Sequence, residues 1–214
     1  MDKIVCIGKN YLEHAKELGD AIPELPVLFI KPPSAAVQTI AGVSPLLVPF
    51  PVNRGELHHE CEIVIKLGRG GKNLTLVDAR NAIESVTLGL DMTLRDVQSG
   101  LKKKGHPWEI SKVFEASAVL GPWIKVSNFP DFETTELSLG IDGGLKQKGT
   151  ASEMRLSVSE CIAYASQYFT LCPGDLIFTG TPAGVGPVQA GSLATLKWGD
   201  GVKYQVQWYS VART

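Results

Sequence analysis

With 214 residues, 44% apolar and 20% charged side chains and a formal net charge of −1, the chain has ordinary globular composition and can bury a core without disulfide staples. No half is strongly basic, which excludes a protein that coats nucleic acid through clustered Lys and Arg; the short run Lys102-Lys103-Lys104 reads as a solvated helix end. No apolar run approaches the roughly 20 residues of a membrane span, because Pro45, Pro49 and Pro51 interrupt the best candidate, 43–52.

In chain order, Met-Asp-Lys leads straight into a strand at Ile4–Ile7, without the basic start and long apolar stretch of a signal peptide. A two-turn helix follows over Tyr11–Leu18, stopped by Gly19 in a C-cap role. Strands are expected at Val27–Ile30 and Cys61–Leu67, and Gly68-Arg-Gly-Gly71 reads as a turn. Thr75 precedes a helix over Leu76–Glu84, then a strand at Val86–Leu90 and a helical stretch within Asp91–Lys104 that ends at Gly105. Strands follow at Ala118–Ile124 and Leu137–Ile141, the second turning through Asp142-Gly143-Gly144 into a hairpin. Ser157 and Glu160 form a capping box for a helix ending near Phe169. Strands at Leu176–Thr179, Leu193–Trp198 and Val202–Trp208 complete the chain, the last two joined as a hairpin. Strands outnumber helices and neither repeats nor linkers interrupt them. The expectation is therefore one domain, 1–214, of α+β, β-rich class built on packed sheets, with 10–25 as a mobile lid segment.

The four cysteines, Cys6, Cys61, Cys161 and Cys172, form no C-x-x-C pair, so neither a zinc knuckle nor a thioredoxin-type redox site is encoded. Three sit in apolar runs and read as buried free thiols of a reducing cytoplasm. The glycine-rich stretch from Gly180 to Gly186 matches neither a P-loop nor a dinucleotide fingerprint. It follows a strand directly, however, where rigid polar loops commonly contact substrates.

The informative stretch is His58-His59-Glu60-Cys61-Glu62-Ile63-Val64-Ile65. Side chains alternate along a strand, so Glu60 and Glu62 project to one side at the mouth of an apolar run. Adjacent carboxylates repel, and burial sharpens the repulsion, so a positive partner or a proton must compensate. Asp91 ends the next strand, reached through the helix that starts at Leu76. If the two strands are neighbours, three carboxylates converge into an all-oxygen set suited to Mg²⁺ or Mn²⁺ rather than zinc. Spacing alone leaves other readings open: an exposed edge of ion-paired glutamates, a His58-containing site for another transition metal, or Asp91 as a plain helix cap.

Four motifs in order carry a resemblance across nearly the whole chain: His59-Glu60-Cys61-Glu62; Leu90-Asp91-Met92-Thr93-Leu94-Arg95-Asp96-Val97-Gln98; Pro107-Trp108 before Lys112; and Thr179-Gly180-Thr181-Pro182-Ala183-Gly184-Val185-Gly186. The sequence resembles the fumarylacetoacetate hydrolase family, and more closely its short acylpyruvase branch. The resemblance implies a mixed β-sandwich roll with few short helices, a homodimer, and Mg²⁺ or Mn²⁺ on Glu60, Glu62 and Asp91. It implies that Lys112 reaches the substrate, that Arg95, Gln98 and Thr181 line the pocket, and that His14 and Glu17 form the water-activating dyad. Those two lie three apart on the short helix, hence on one face. The longer fumarylacetoacetases carry an additional N-terminal domain, whereas the matching part here begins almost at residue 1, which sets fumarylacetoacetate itself aside as substrate.

The expected substrate is a small β-keto acid. The first expectation is C–C hydrolysis of acylpyruvates, in which His14, oriented by Glu17, takes a proton from water and the hydroxide attacks C4. Oxaloacetate decarboxylation and keto–enol tautomerisation need the same site and rank close behind. A Ca²⁺-dependent binding module is the alternative of a different class, and the His14/Glu17 helix argues against it, since a pure binder needs no water activator.

Overall fold

The computed structural model describes residues 1–17 and 23–210. The helix stop expected at Gly19, and with it the middle of the expected lid 10–25, lies outside the described residues. Strand β1 (Ile4–Gly8) leads to helix α1 (Leu12–Glu17), followed by β2 (Val27–Lys31), β3 (Ala36–Gln38), β4 (Leu46–Phe50), β5 (Leu57–His59) and β6 (Cys61–Leu67). Helix α2 (Leu76–Asn81) returns the chain to β7 (Ile83–Asp91), and β8 (Thr93–Leu94) precedes α3 (Arg95–Lys104) and α4 (Glu109–Lys112). Then come β9 (Ala118–Leu120), β10 (Ile124–Lys125), the hairpin of β11 (Leu137–Ile141) and β12 (Gly144–Gly149), and α5 (Val158–Tyr168). The chain closes with β13 (Leu176–Phe178), β14 (Gly186–Pro187) and the hairpin of β15 (Leu193–Trp198) and β16 (Val202–Ser210).

Among the described residues these strands form one eight-stranded sheet, ordered β2-β1-β13-β6-β7-β9-β3 with β10 beside β7, a five-stranded sheet β12-β11-β15-β16-β4 and a three-stranded sheet β14-β5-β8. Pairing is mixed: β1–β13, β4–β16 and β3–β9 run parallel, while β6–β7 and β13–β6 are antiparallel. The architecture is the β-rich mixed sandwich with few short helices that the sequence leads one to expect. No helix of the described residues is long and apolar enough to cross a membrane.

Several element bounds differ from the expectation. The helix over Leu76–Glu84 ends at Asn81, and Ile83 already starts β7, because its buried side chain faces the core while Gly68 N–H donates to Ala82 O (2.8 Å) and draws the chain to the sheet. The strand over Ala118–Ile124 breaks after Leu120, where Gly121 and Pro122 intervene and Pro supplies no ladder donor. Helix α3 is capped at Leu94, so Asp91 is the end of a strand and not a helix cap. The capping box Ser157/Glu160 is present as read, and all four cysteines are free thiols.

Side-chain alternation on β6 decides where the chemistry sits. Cys61, Ile63, Ile65 and Leu67 face the main core, which also holds Trp198 and Trp208. Glu62 and Val64 face the opposite side, where Val64 packs with Cys6, Ala118 and Phe178. The central sheet is thus covered on both faces, and Glu62 emerges from the smaller core rather than from an exposed edge.

Candidate metal centre and active site

Strands β6 and β7 are antiparallel neighbours with Glu62 opposite Gly89, and Asp91 N–H donates to Glu60 O (2.9 Å) at the end of the ladder. This register brings one oxygen each of Glu60, Glu62 and Asp91 within 4.8 Å of one another, all three residues buried. The exposed-edge reading of the glutamates is therefore ruled out by their burial. His58 is not part of this group; its Nε2 lies 3.4 Å from Glu56 Oε2.

Three buried or nearly buried cations surround the carboxylates. Lys112 Nζ donates to Glu60 Oε2 (2.8 Å) and Asp91 Oδ2 (2.7 Å). Arg95 Nη2 donates to Glu60 Oε1, and Arg95 Nη1 to Gln98 Oε1 (2.7 Å). Lys31, fully buried at the end of β2, sits 2.7 Å from Asp91 Oδ1 and donates to the carbonyls of Ser117 (2.7 Å) and Met92 (3.2 Å). Its contact with Asp91 Oδ1 is ionic without hydrogen-bond alignment, and that oxygen accepts no hydrogen bond.

The carboxylates are not served equally. Burial works against the charge of Glu60, but Lys112 and Arg95 outweigh it and hold the group well below the usual carboxylate range. Among the described residues, Glu62 receives only the Gly180 N–H (2.7 Å). Burial, then the charges of Asp91 and Glu60, push its carboxyl well above the usual range. Burial also opposes the charge of Lys112, yet Asp91 and Glu60 raise its ammonium above the ordinary lysine value, so it stays protonated and acts as a donor. A divalent cation fits this donor set: three carboxylates offer hard oxygens, Asp91 Oδ1 accepts no hydrogen bond, and Glu62 makes no salt bridge among the described residues.

Gly180 earns its place through its backbone. At φ +99 it turns its N–H onto Glu62, and a Cβ there would lie 2.9 Å from Asn10 Cβ and 3.1 Å from Ile7 O. Asn10 braces the same loop, donating through Nδ2 to Thr179 O (2.9 Å). Thr181 is fixed by donating to Cys61 O (2.8 Å) and accepting from Gln147 Nε2 (2.8 Å), while Gln147 Oε1 accepts from Cys61 N–H (3.0 Å) and contacts His59 Nδ1 (2.9 Å).

Helix α1 presents His14 over the cavity and Glu17 beside it, with His14 Nδ1 3.4 Å from Glu17 Oε2. Both Glu17 oxygens accept from Gly184 N–H (3.1 Å), tying the helix to the loop after β13. A carboxylate only accepts, so this contact places the imidazole proton on Nδ1 and leaves Nε2 as the acceptor. Burial lowers the His14 pKa below the ordinary value against the pull of Glu60 and Glu17, so the ring is neutral near pH 7.

His14, Glu60, Glu62, Asp91, Arg95, Gln98, Lys112, Gly180 and Thr181 thus line one cavity of about 40 Å³, with Phe29, Lys102 and Trp108 at its wall. Of the expected site residues, only Glu17 stands behind that lining, where it holds His14 and the Gly184 loop. Lys112, expected to reach substrate, is here bonded to two of the carboxylates. Sequence reasoning missed Lys31 and Gln147. A lysine closing the apolar strand Val27–Ile30 was the one available signal for the first; Gln147, in the polar run Gly144–Gly149, offered none.

A buried acidic trio flanked by lysines and an arginine, with a histidine–glutamate pair beside it, is a group of side chains that could hold a divalent cation. The chain belongs to the fumarylacetoacetate (FAA) hydrolase C-terminal family, whose profile matches residues 3–212. It is 43% identical over 197 residues, 92% of this chain and 88% of the relative, to the oxaloacetate tautomerase YcgM of Escherichia coli (strain K12). It is 41% identical over 191 residues, 89% of this chain and 86% of the relative, to a mitochondrial oxaloacetate decarboxylase of Dictyostelium discoideum. Among solved structures, fumarylpyruvate hydrolase from Pseudomonas aeruginosa in complex with Mn²⁺ and pyruvate aligns with TM-score 0.92 at 36% identity, over 99% of this chain and 91% of that one. The chain is an enzyme of this family.

Proposed function

We propose that this enzyme acts on oxaloacetate, interconverting its enol and keto forms, with Mg²⁺ or Mn²⁺ held by Glu60, Glu62 and Asp91. The observation that carries the proposal is the convergence of those three carboxylates within 4.8 Å beneath His14, with Lys112 among them. Relatives named for oxaloacetate tautomerisation and decarboxylation support it. When bound, the divalent ion supplies Lewis acidity toward the 2-oxygen of a keto acid. The residues supply the rest. His14 Nε2, neutral and unprotonated, accepts the proton from C3 and can return it. Glu17 holds the ring and stabilises its charged form. Lys112, permanently an ammonium, donates toward the oxygen on which enolate charge develops. Arg95, Gln98 and Thr181 orient the acid. A homodimer is part of the same proposal.

A second reading, hydrolysis of acylpyruvates at the C3–C4 bond, is favoured by one observation: His14 lines the cavity while Glu17, anchored to Gly184 N–H, stands behind it at Nδ1, as water activation requires. In that reaction His14 takes a proton from water, hydroxide adds to C4, and cleavage releases pyruvate enolate and a carboxylic acid.

The test is a side-by-side assay on metal-loaded protein of enol-oxaloacetate ketonisation, oxaloacetate decarboxylation and acetylpyruvate hydrolysis. Ketonisation is expected to be fastest, and His14→Ala is expected to abolish it while metal binding persists. Faster turnover of acetylpyruvate would move the assignment to the hydrolase, and loss of metal in the His14 variant would refute the role given to that residue.

A further inference from the structure

Gln147 is buried on β12 between the exposed Lys146 and Lys148 and is not among the side chains that line the cavity. Two backbone groups fix which way its amide points. The Cys61 N–H can only donate, so the atom 3.0 Å from it is Oε1; the Pro182 carbonyl can only accept, so the atom 2.8 Å from it is Nε2. Oε1 also lies 2.9 Å from His59 Nδ1, which must therefore carry a proton, and Nε2 also donates to Thr181 Oγ1 (2.8 Å). Both N–H groups and both lone pairs of the amide are thus in use.

Three of these groups close a ring. Cys61 N–H donates to Gln147, Gln147 donates to Thr181 Oγ1, and Thr181 donates back to Cys61 O (2.8 Å). Cys61 stands between Glu60 and Glu62, and Thr181 follows Gly180, whose N–H meets Glu62. The ring therefore ties the mouth of β6 to the loop after β13. It also sets the Thr181 hydroxyl. Its one proton goes to Cys61 O and one lone pair takes the Gln147 N–H, which leaves a single lone pair for the cavity that Thr181 lines. The same loop packs on the backbone of β12, since a Cβ on Gly184 would collide with Lys146 O and one on Gly149 would lie 3.0 Å from Pro182 Cβ.

Resting on the function proposed above, we propose that Gln147 is a positioning residue: it holds Thr181 and the Pro182 carbonyl against the Cys61 peptide, and through Thr181 it sets how tightly the keto acid is bound. The role is orientation and involves no bond-making step. Its two ends do different work. The oxygen anchors the amide to β6, and the nitrogen holds the loop.

Gln147→Glu isolates the nitrogen end: one oxygen still accepts from Cys61 N–H and His59, while the other faces the Pro182 carbonyl, acceptor against acceptor. On metal-loaded protein, KM for oxaloacetate is expected to rise by up to about tenfold, the worth of one good hydrogen bond, with kcat nearly unchanged, the mark of lost uniform binding. A merely structural defect would lower the active fraction, and so kcat, and leave KM alone. Thr181→Val is expected to raise KM similarly, and adding Gln147→Glu to it should cost nothing more. An unchanged KM in Gln147→Glu, or the same cost in both backgrounds, overturns the proposal. The cycle is read equally in ketonisation, decarboxylation or acetylpyruvate hydrolysis, so an error in the choice of reaction leaves it standing. A measurement on wild type needs neither a folded variant nor a substrate: ¹⁵N NMR is expected to show His59 protonated at Nδ1. A bare Nδ1 would refute the orientation of the amide, and the proposal with it, whichever reaction the enzyme runs.

Discussion

Among the described residues, carboxylates are buried in two places and treated in opposite ways. Asp175, at the start of β13, accepts from the N–H groups of Asp2 (2.9 Å), Lys3 (3.0 Å) and Cys172 (2.8 Å) and from Lys3 Nζ (2.8 Å). Every lone pair has a donor, and these bonds overcome burial to hold its pKa below the ordinary carboxylate value. Glu62, at the floor of the cavity, has one backbone donor and two acidic neighbours, and its carboxyl is raised. A closed set of partners pins the N-terminal strand to the sheet. An open one leaves oxygens that could hold a cation. Buried charge is evidence of function only where its partners are incomplete.

Removing each carboxylate should break the comparison in different ways. Glu62→Gln is expected to weaken metal binding by more than ~100-fold, since even outer-shell substitutions at metal sites typically cost about 10–100-fold; activity should fall with it, while the metal-free protein melts no earlier than wild type, because Gln replaces a carboxyl whose charge burial and its acidic neighbours disfavour. Asp175→Asn should do the reverse. It leaves metal affinity unchanged and destabilises the fold by about 2–3 kcal/mol, lowering Tm by roughly 5–10 °C for a chain of this size, as calorimetry would record. A Glu62→Gln variant that melts as early as Asp175→Asn would erase the distinction.

The pH dependence sharpens it. Asp175 contributes stability above the ordinary carboxylate pKa, and that contribution is lost as pH falls through its lowered native value. Glu62 acts oppositely in metal-free protein: the unfolded chain releases its proton near pH ~4.3 while the native state keeps it, so stability declines as pH rises toward the raised native value. Denaturant melts across pH should show a shallower acid limb in Asp175→Asn and a flatter neutral limb in Glu62→Gln. The smallest effect is expected at the loop: Gly180→Ala, which strains a positive-φ position and shifts one N–H from Glu62, should weaken metal binding by about tenfold or less with a modest loss of stability.

How much of this was legible in the sequence follows the range of the interactions. Glu60 and Glu62 could be read because strand periodicity is local, and Asp91 because one short helix and one strand separate it from them. The hairpin ends and the Ser157 capping box are likewise written in neighbouring residues. Lys31 could not be read, since its partner Asp91 lies 60 residues away and is reached only through the order β2-β1-β13-β6-β7. Gln147 is buried because β12 folds over the site, which nothing in its polar surroundings announces. Strand β4 was missed because Pro49 reads as a breaker, although as a residue paired on one side only it is tolerated there. The roles of His14 and Lys112 came from the family resemblance; structure adds why they suit it, one neutral and anchored through Glu17, the other held as an ammonium by two carboxylates.

The most direct test is calorimetric titration of metal-free wild type and Glu62→Gln with Mn²⁺. The account predicts a single ion per chain in wild type and a loss of binding in a variant that remains folded by circular dichroism. Equal binding by the two proteins, or none by wild type, would contradict it.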